Sequence, residues 1–174
     1  VGARVSVLEL SPEPSTTTNG EGRYEVSGVP AVSRWGRTLV RFSHSGHFTE
    51  FKRLIDGGTR LDAVLDPLVF VGLGKEIRDT VHRSSGTCAG QDYEEDGCLR
   101  FAVVASSSGT LDVTLSSSAD LALDVVTPDG HAVAQFDGQP KRVSVPAIAG
   151  GTYELRVVTN FGASAEFGLV AVVR

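Results

Sequence analysis

Methionine is absent from this chain, tryptophan occurs once, cysteine occurs twice, and no apolar run is long. Each scarcity removes a class of protein. No segment approaches the roughly eighteen continuous apolar residues of a membrane-spanning helix. The 16 basic residues form no stripe and are outnumbered by 21 acidic ones. Residues 1–67 carry eight of each sign, whereas 68–174 carry eight basic and thirteen acidic, so the whole net charge of −5 belongs to the second part. That balance argues against nucleic acid as a partner there. No initiator Met or signal peptide opens the chain, which reads as a mature product or an excised fragment. Gly-x-Ser-x-Gly, His-Glu-x-x-His and a Cys placed for activation are all lacking, and no window sustains a helical period. Catalysis is not expected.

What the chain does hold is turn chemistry and β-branched residues, with 20 Gly among them. Short alternating runs are expected as strands at 3–8, 23–27, 37–43, 48–54 and 60–65. Pro12-Glu13-Pro14, Asn19-Gly20, Ser45-Gly46 and Asp56-Gly57-Gly58 separate them, and Asn19-Gly20 is expected to supply the positive φ of a tight hairpin. Asp66-Pro67 closes this unit. The apolar stretch 68–76 lacks the polarity of a free linker, so it should pack, as a strand or wedged between domains. Seven further strands are expected at 98–105, 109–115, 121–127, 131–136, 141–145, 151–158 and 164–173. In them Val113 and Leu115, Leu121, Leu123 and Val125, and Tyr153, Leu155 and Val157 each share a face, leaving Asp120, Asp124, Glu154 and Arg156 for the other side. The fold class is all-β, two tandem antiparallel β-sandwich domains, at 1–67 and 77–174.

Two motif sets carry family resemblances. Gly2-Ala3-Arg4-Val5-Ser6-Val7, Thr18-Asn19-Gly20-Glu21-Gly22-Arg23-Tyr24, Gly28-Val29-Pro30 and Ser45-Gly46-His47 make 1–66 resemble the carboxypeptidase regulatory-like domain, a transthyretin-like sandwich. The resemblance implies a non-catalytic domain of secreted or outer-membrane proteins, with its first strand missing before Val1. It also leaves residues 3–8 as an exposed edge open to strand addition by a neighbouring copy or partner. Leu99-Arg100-Phe101, Ser108-Gly109-Thr110-Leu111, the run Leu123 to Gly130, and Gly150-Gly151-Thr152-Tyr153-Glu154-Leu155-Arg156-Val157 make 75–174 similar to the bacterial pre-peptidase C-terminal domain. That implies an accessory module of a secreted hydrolase; Gly97-Cys98 replaces part of the family's acidic-aromatic start.

Candidate sites are few. Cys88 and Cys98, with nine residues between them, are expected to form one disulfide in an extracellular, cell-surface or periplasmic setting, closing a loop worth roughly 3 kcal/mol; two free thiols are the alternative. Arg34, Trp35 and Arg37 offer a flat apolar face and two guanidinium groups to a glycan or protein, unless the Trp folds back under the Arg stems. Asp92, Glu94 and Asp96 have the alternate spacing of a calcium loop, but Arg100 and Val103 stand where further ligands belong, and a solvated acidic tip is the plainer reading. His44 and His47 flank Ser45-Gly46, a turn expected to point the imidazoles apart and leave them to packing.

Overall fold

A computed structural model describes residues 2–8, 10, 12–27, 29, 37–55, 60–82, 85, 88, 97–159 and 164–174, with only the backbone at 37, 51 and 53–55. It is all-β, two tandem antiparallel sandwich units, the first built on Val1–Leu68 and the second on Val69–Cys88 and Tyr93–Arg174.

The first unit contains β1 (Arg4–Val7), β2 (Ser15–Thr17), β3 (Arg37–Ser43) and β4 (Glu50–Ile55), in the sheet order β2-β1-β3-β4. Val5, Val7, Val40 and Phe42 alternate along β1 and β3 to form one buried face. The layer facing them is extended chain without ladder pairing: Tyr24, Val26 and Val29 from one segment, Leu61, Ala63 and Leu65 from another. The Tyr24 hydroxyl donates to the Leu61 carbonyl at 2.7 Å and joins the two.

Three expectations need correcting here. Residues 23–27 and 60–65 alternate because one side of each is buried, yet neither enters a sheet. The turn at Asn19 is wider than an Asn-Gly hairpin. The Asn19 side-chain oxygen accepts from the N–H groups of Glu21 (3.0 Å) and Arg23 (2.9 Å), and the positive φ, 77°, falls on Gly22. Finally, β1 is not an edge. Val5 pairs with Thr16 on one side and Phe42 on the other, so the backbone of residues 4–7 already has neighbours on both flanks, and strand addition along 3–8 is ruled out.

The second unit contains β5 (Ile77–Val81), β6 (Cys98–Val104), β7 (Gly109–Ser116), β8 (Leu121–Val126), β9 (Ala132–Gln135), β10 (Lys141–Ala147), β11 (Thr152–Thr159) and β12 (Ala165–Val173). Two sheets, β10-β7-β12-β5 and β6-β11-β8-β9, face each other. Leu111, Val113 and Leu115 of β7 meet Leu121, Leu123 and Val125 of β8 and Tyr153, Leu155 and Val157 of β11, all essentially without solvent. Full burial of each such side chain stabilises by about 1.5–3 kcal/mol. The Tyr153 hydroxyl accepts from Ile148 N–H and donates to the Pro146 carbonyl, both at 2.9 Å, which pins the β10–β11 connection to the core. The seven strands expected from the sequence recur with ends moved by at most two residues. β5 was not expected: Ile77-Arg78-Asp79-Thr80-Val81 is a polar edge strand paired only with β12.

Residues 69–71 pack as an added strand. Ala102 N–H donates to the Val69 carbonyl and Val71 N–H to the Ala102 carbonyl, each at 2.8 Å, so this stretch lies along β6 in parallel fashion. Val71 and Leu73 reach the second core, and Phe70 is 58% exposed.

Candidate functional site

Cys88 and Cys98 are disulfide-bonded, with Cα atoms 5.5 Å apart, and both are buried beside Ala122 and Val158. They lie on the face of the β6-β11-β8 layer that points away from the sandwich core. On the same face, cross-strand register sets Arg100 of β6 and Asp124 of β8 on either side of Arg156 of β11. Glu154 Oε1 accepts from Arg156 Nε at 2.6 Å and from Arg100 Nε at 2.8 Å. Asp124 and Arg156 are buried, 2% and 5% exposed, and the Arg100 and Glu154 side chains are nearly so at 8% and 12%. The alternation had assigned Asp124 to solvent. It correctly sent the side chain away from the apolar core, but that second face is covered too.

Asp124 has one carboxylate oxygen without a hydrogen-bond partner. Burial pushes its carboxyl up to about 6, the Arg156 guanidinium pulling the other way and the Glu154 charge adding to the rise. Charged strand positions on β6, β8 and β11 were visible in the sequence. Their meeting depends on register, which local pattern does not contain.

A second buried charge closes the β9–β10 connection. Lys141, 2% exposed, donates from Nζ to the carbonyls of Phe136 and Gly138 and faces Asp120 Oδ1 at 3.4 Å. Its ammonium is held by backbone carbonyls and a carboxylate, as a buried cation requires. In the β8–β9 turn, Asp129 accepts from the Thr127 hydroxyl and the His131 N–H, and these hydrogen bonds hold its carboxyl below the ordinary range.

Catalytic geometry is not assembled by these groups. His82 Nδ1 lies 2.9 Å from Ser164 Oγ on an exposed surface, and among the described residues no carboxylate orients that imidazole. Nor do three or more His, Cys, Asp or Glu side chains gather among the described residues. No described helix is long and apolar enough to cross a membrane.

The remaining candidates divide. Arg34, Trp35, Asp92, Glu94 and Asp96 lie outside the described residues. Arg37 opens β3 opposite Ile55, its side chain likewise outside. The histidines depart from expectation: His44 Nδ1 and His47 Nδ1 are 3.1 Å apart, with rings crossing at 75°. The turn brings them together because Gly46, at φ 76°, reverses the chain so that His47 returns beside His44. They line a cavity of about 360 Å³ with Tyr24, Phe42, Asp62 and Leu65. Burial and the nearby Asp62 charge raise the Tyr24 phenol, against the lowering effect of its bond to Leu61.

No protein-family model matches this chain, and no curated protein does. Among solved structures, it is similar to the periplasmic g-type lysozyme inhibitor PliG of Aeromonas hydrophila at 15% identity, covering 62% of this chain and 96% of that one, with a TM-score of 0.46. The pre-peptidase C-terminal domain of a Bacillus anthracis collagenase matches at 13% identity, 63% and 99% coverage, and a TM-score of 0.48. A GH26-CBM35 β-(1,4)-mannanase of Podospora anserina matches at 14% identity, 56% and 28% coverage, and a TM-score of 0.27. Overlaps this loose decide neither family nor function.

Proposed function

We propose that this chain is a pair of non-catalytic β-sandwich modules acting outside the cytoplasm, as a spacing, presentation or assembly element of a larger secreted or surface bacterial protein. The observation that carries this reading is the use made of the buried polar side chains. Lys141, Tyr153 and the Arg100–Glu154–Arg156 bridge each tie one strand or connection to another. The disulfide supports an oxidising location. On the motifs given above, the first unit reads as carboxypeptidase regulatory-like and the second as pre-peptidase C-terminal-like.

The whole chain, kept oxidised, is to be assayed on peptide, ester and glycoside substrates and on a glycan array. No turnover and no glycan retention are expected. Turnover would overturn the proposal. Glycan binding that disappears in Trp35→Ala would transfer the chain to the accessory-binding class, with Arg34, Trp35 and Arg37 as the contact. A melting temperature raised by millimolar calcium would bring Asp92, Glu94 and Asp96 back as an ion site.

A further inference from the structure

We propose that His44 and His47 form a two-imidazole clamp for a borderline divalent transition metal, Cu²⁺ before Ni²⁺ and Zn²⁺, in the lining of the first unit's cavity. The separation of the two Nδ1 atoms, 3.1 Å, is the first reason. With metal–nitrogen bonds of about 2.0–2.1 Å, two cis donors stand about 2.9 Å apart at a right angle and about 3.4 Å apart at the tetrahedral angle. The observed spacing falls between these limits.

The second reason is the rigidity of the turn. His44 follows directly on β3, and His47 N–H donates to the His44 carbonyl at 3.2 Å. Beyond it, His47 bridges to Pro67, Leu68 N–H donates to the Gly46 carbonyl, and Phe48 N–H donates to the Asp66 carbonyl, the last two at 2.9 Å. Both imidazoles therefore leave a backbone fixed on each flank, and little conformational freedom remains to be lost on binding.

The third reason is room. The cavity of about 360 Å³ beside the rings leaves space for waters to complete the coordination sphere. Two imidazole nitrogens favour Cu²⁺, Ni²⁺ and Zn²⁺ over Ca²⁺ and Mg²⁺, with Cu²⁺ tightest.

The proton count follows. In the empty site one Nδ1 carries the hydrogen that the other accepts, and His47 Nδ1 also lies 3.1 Å from the Ser45 carbonyl, an acceptor only. Loading needs both Nδ1 lone pairs, so that proton transfers to Nε2 of its own ring as the metal enters. Neutral imidazoles bind and imidazolium does not, so affinity falls in acid.

The test is titration of the whole oxidised chain with Cu²⁺, Ni²⁺, Zn²⁺ or Ca²⁺ alone, followed by calorimetry and by imidazole ¹⁵N NMR. One ion per chain is expected, with both Nδ1 resonances of His44 and His47 displaced and Ca²⁺ silent. His44→Gln and His47→Gln should each weaken binding at least about tenfold, the lower limit seen even when only a group behind the ligands is changed. His82→Gln and His131→Gln should leave it alone. Melting in chelator checks that each variant is folded, and either histidine variant suffices if the other is not. Absence of binding at millimolar metal, retention of affinity in a folded His44 or His47 variant, or displacement of Nε2 in place of Nδ1 overturns the proposal.

Discussion

The two units enclose their interiors by different means. In the second, twenty buried apolar residues among those described fill the space between two hydrogen-bonded sheets. In the first, among the described residues, Val5, Val7, Val40 and Phe42 of one sheet face side chains from extended segments that lack ladder bonds. Both units bury polar side chains, Asp124, Lys141, Arg156 and Thr159 in the second and Ser6 and Glu50 in the first, where the Tyr24 hydroxyl also joins the two extended segments. A paired sheet satisfies its own backbone, so it tolerates charges on its far face provided they find one another. A lone sheet backed by irregular chain has to satisfy each facing carbonyl individually.

Core truncation gives the widest separation between the units. Leu155→Ala removes a fully buried side chain from the centre of β11, and the loss is expected at about 2–5 kcal/mol. Leu65→Ala, in the half-buried layer of the first unit, is expected to cost under about 2 kcal/mol. Urea unfolding followed separately in each unit checks this. Equal losses would mean that the extended layer packs as tightly as a paired sheet.

The charged face of the second unit sharpens the contrast. Glu154→Gln removes the anion between Arg100 and Arg156 and is expected to destabilise by about 3–5 kcal/mol, since the cations stay buried. Asp124→Asn should act in the opposite direction at neutral pH. The Asp124 pKa is raised to about 6 from 3.8, so the folded state takes up this proton before the unfolded chain does. The resulting stabilisation is complete below about pH 4 and is lost as pH rises through about 6, and it amounts to roughly 3 kcal/mol at most. The Asn variant should therefore be the more stable protein at pH 7, with its advantage shrinking to nothing near pH 4. If the difference between the two proteins is flat across that interval, Asp124 carries no buried charge.

Legibility in the sequence followed the same division. Strands of the second unit could be read because apolar alternation and ladder pairing coincide there, as in Val143-Ser144-Val145 and Tyr153-Glu154-Leu155. β5 escaped because an edge strand with Arg78 and Asp79 outward has almost no apolar period. In the first unit the alternation of Leu61, Ala63 and Leu65 truthfully reports burial, but burial alone does not say whether a neighbour supplies hydrogen bonds. The centrality of β1 was hidden for a related reason, since Ser15-Thr16-Thr17 carries no apolar face and its role as a flanking strand rests on backbone pairing alone. Of the sites, the Cys pair was readable from spacing. The meeting of His44 with His47 depended on the φ of Gly46, and that of Asp124 with Arg156 on register.

The smallest expected effect tests the hydroxyl that joins the two extended segments. Tyr24→Phe keeps the edge-on packing against Phe42, whose ring centre lies 5.5 Å away, and deletes only the bond to the Leu61 carbonyl. The expected cost is about 1 kcal/mol at neutral pH, the usual net value of one such bond. Its pH dependence carries more information than its size. Burial holds the Tyr24 phenol above its ordinary value of 10.0, so its contribution is present below that pH and disappears as the folded-state phenol ionises. The phenylalanine protein has no such group, and the two stabilities should converge in strong alkali. Convergence locates the link between the segments in the neutral hydroxyl. A gap that persists unchanged would overturn this, since ionisation removes the hydrogen that the Tyr24 hydroxyl donates to the Leu61 carbonyl.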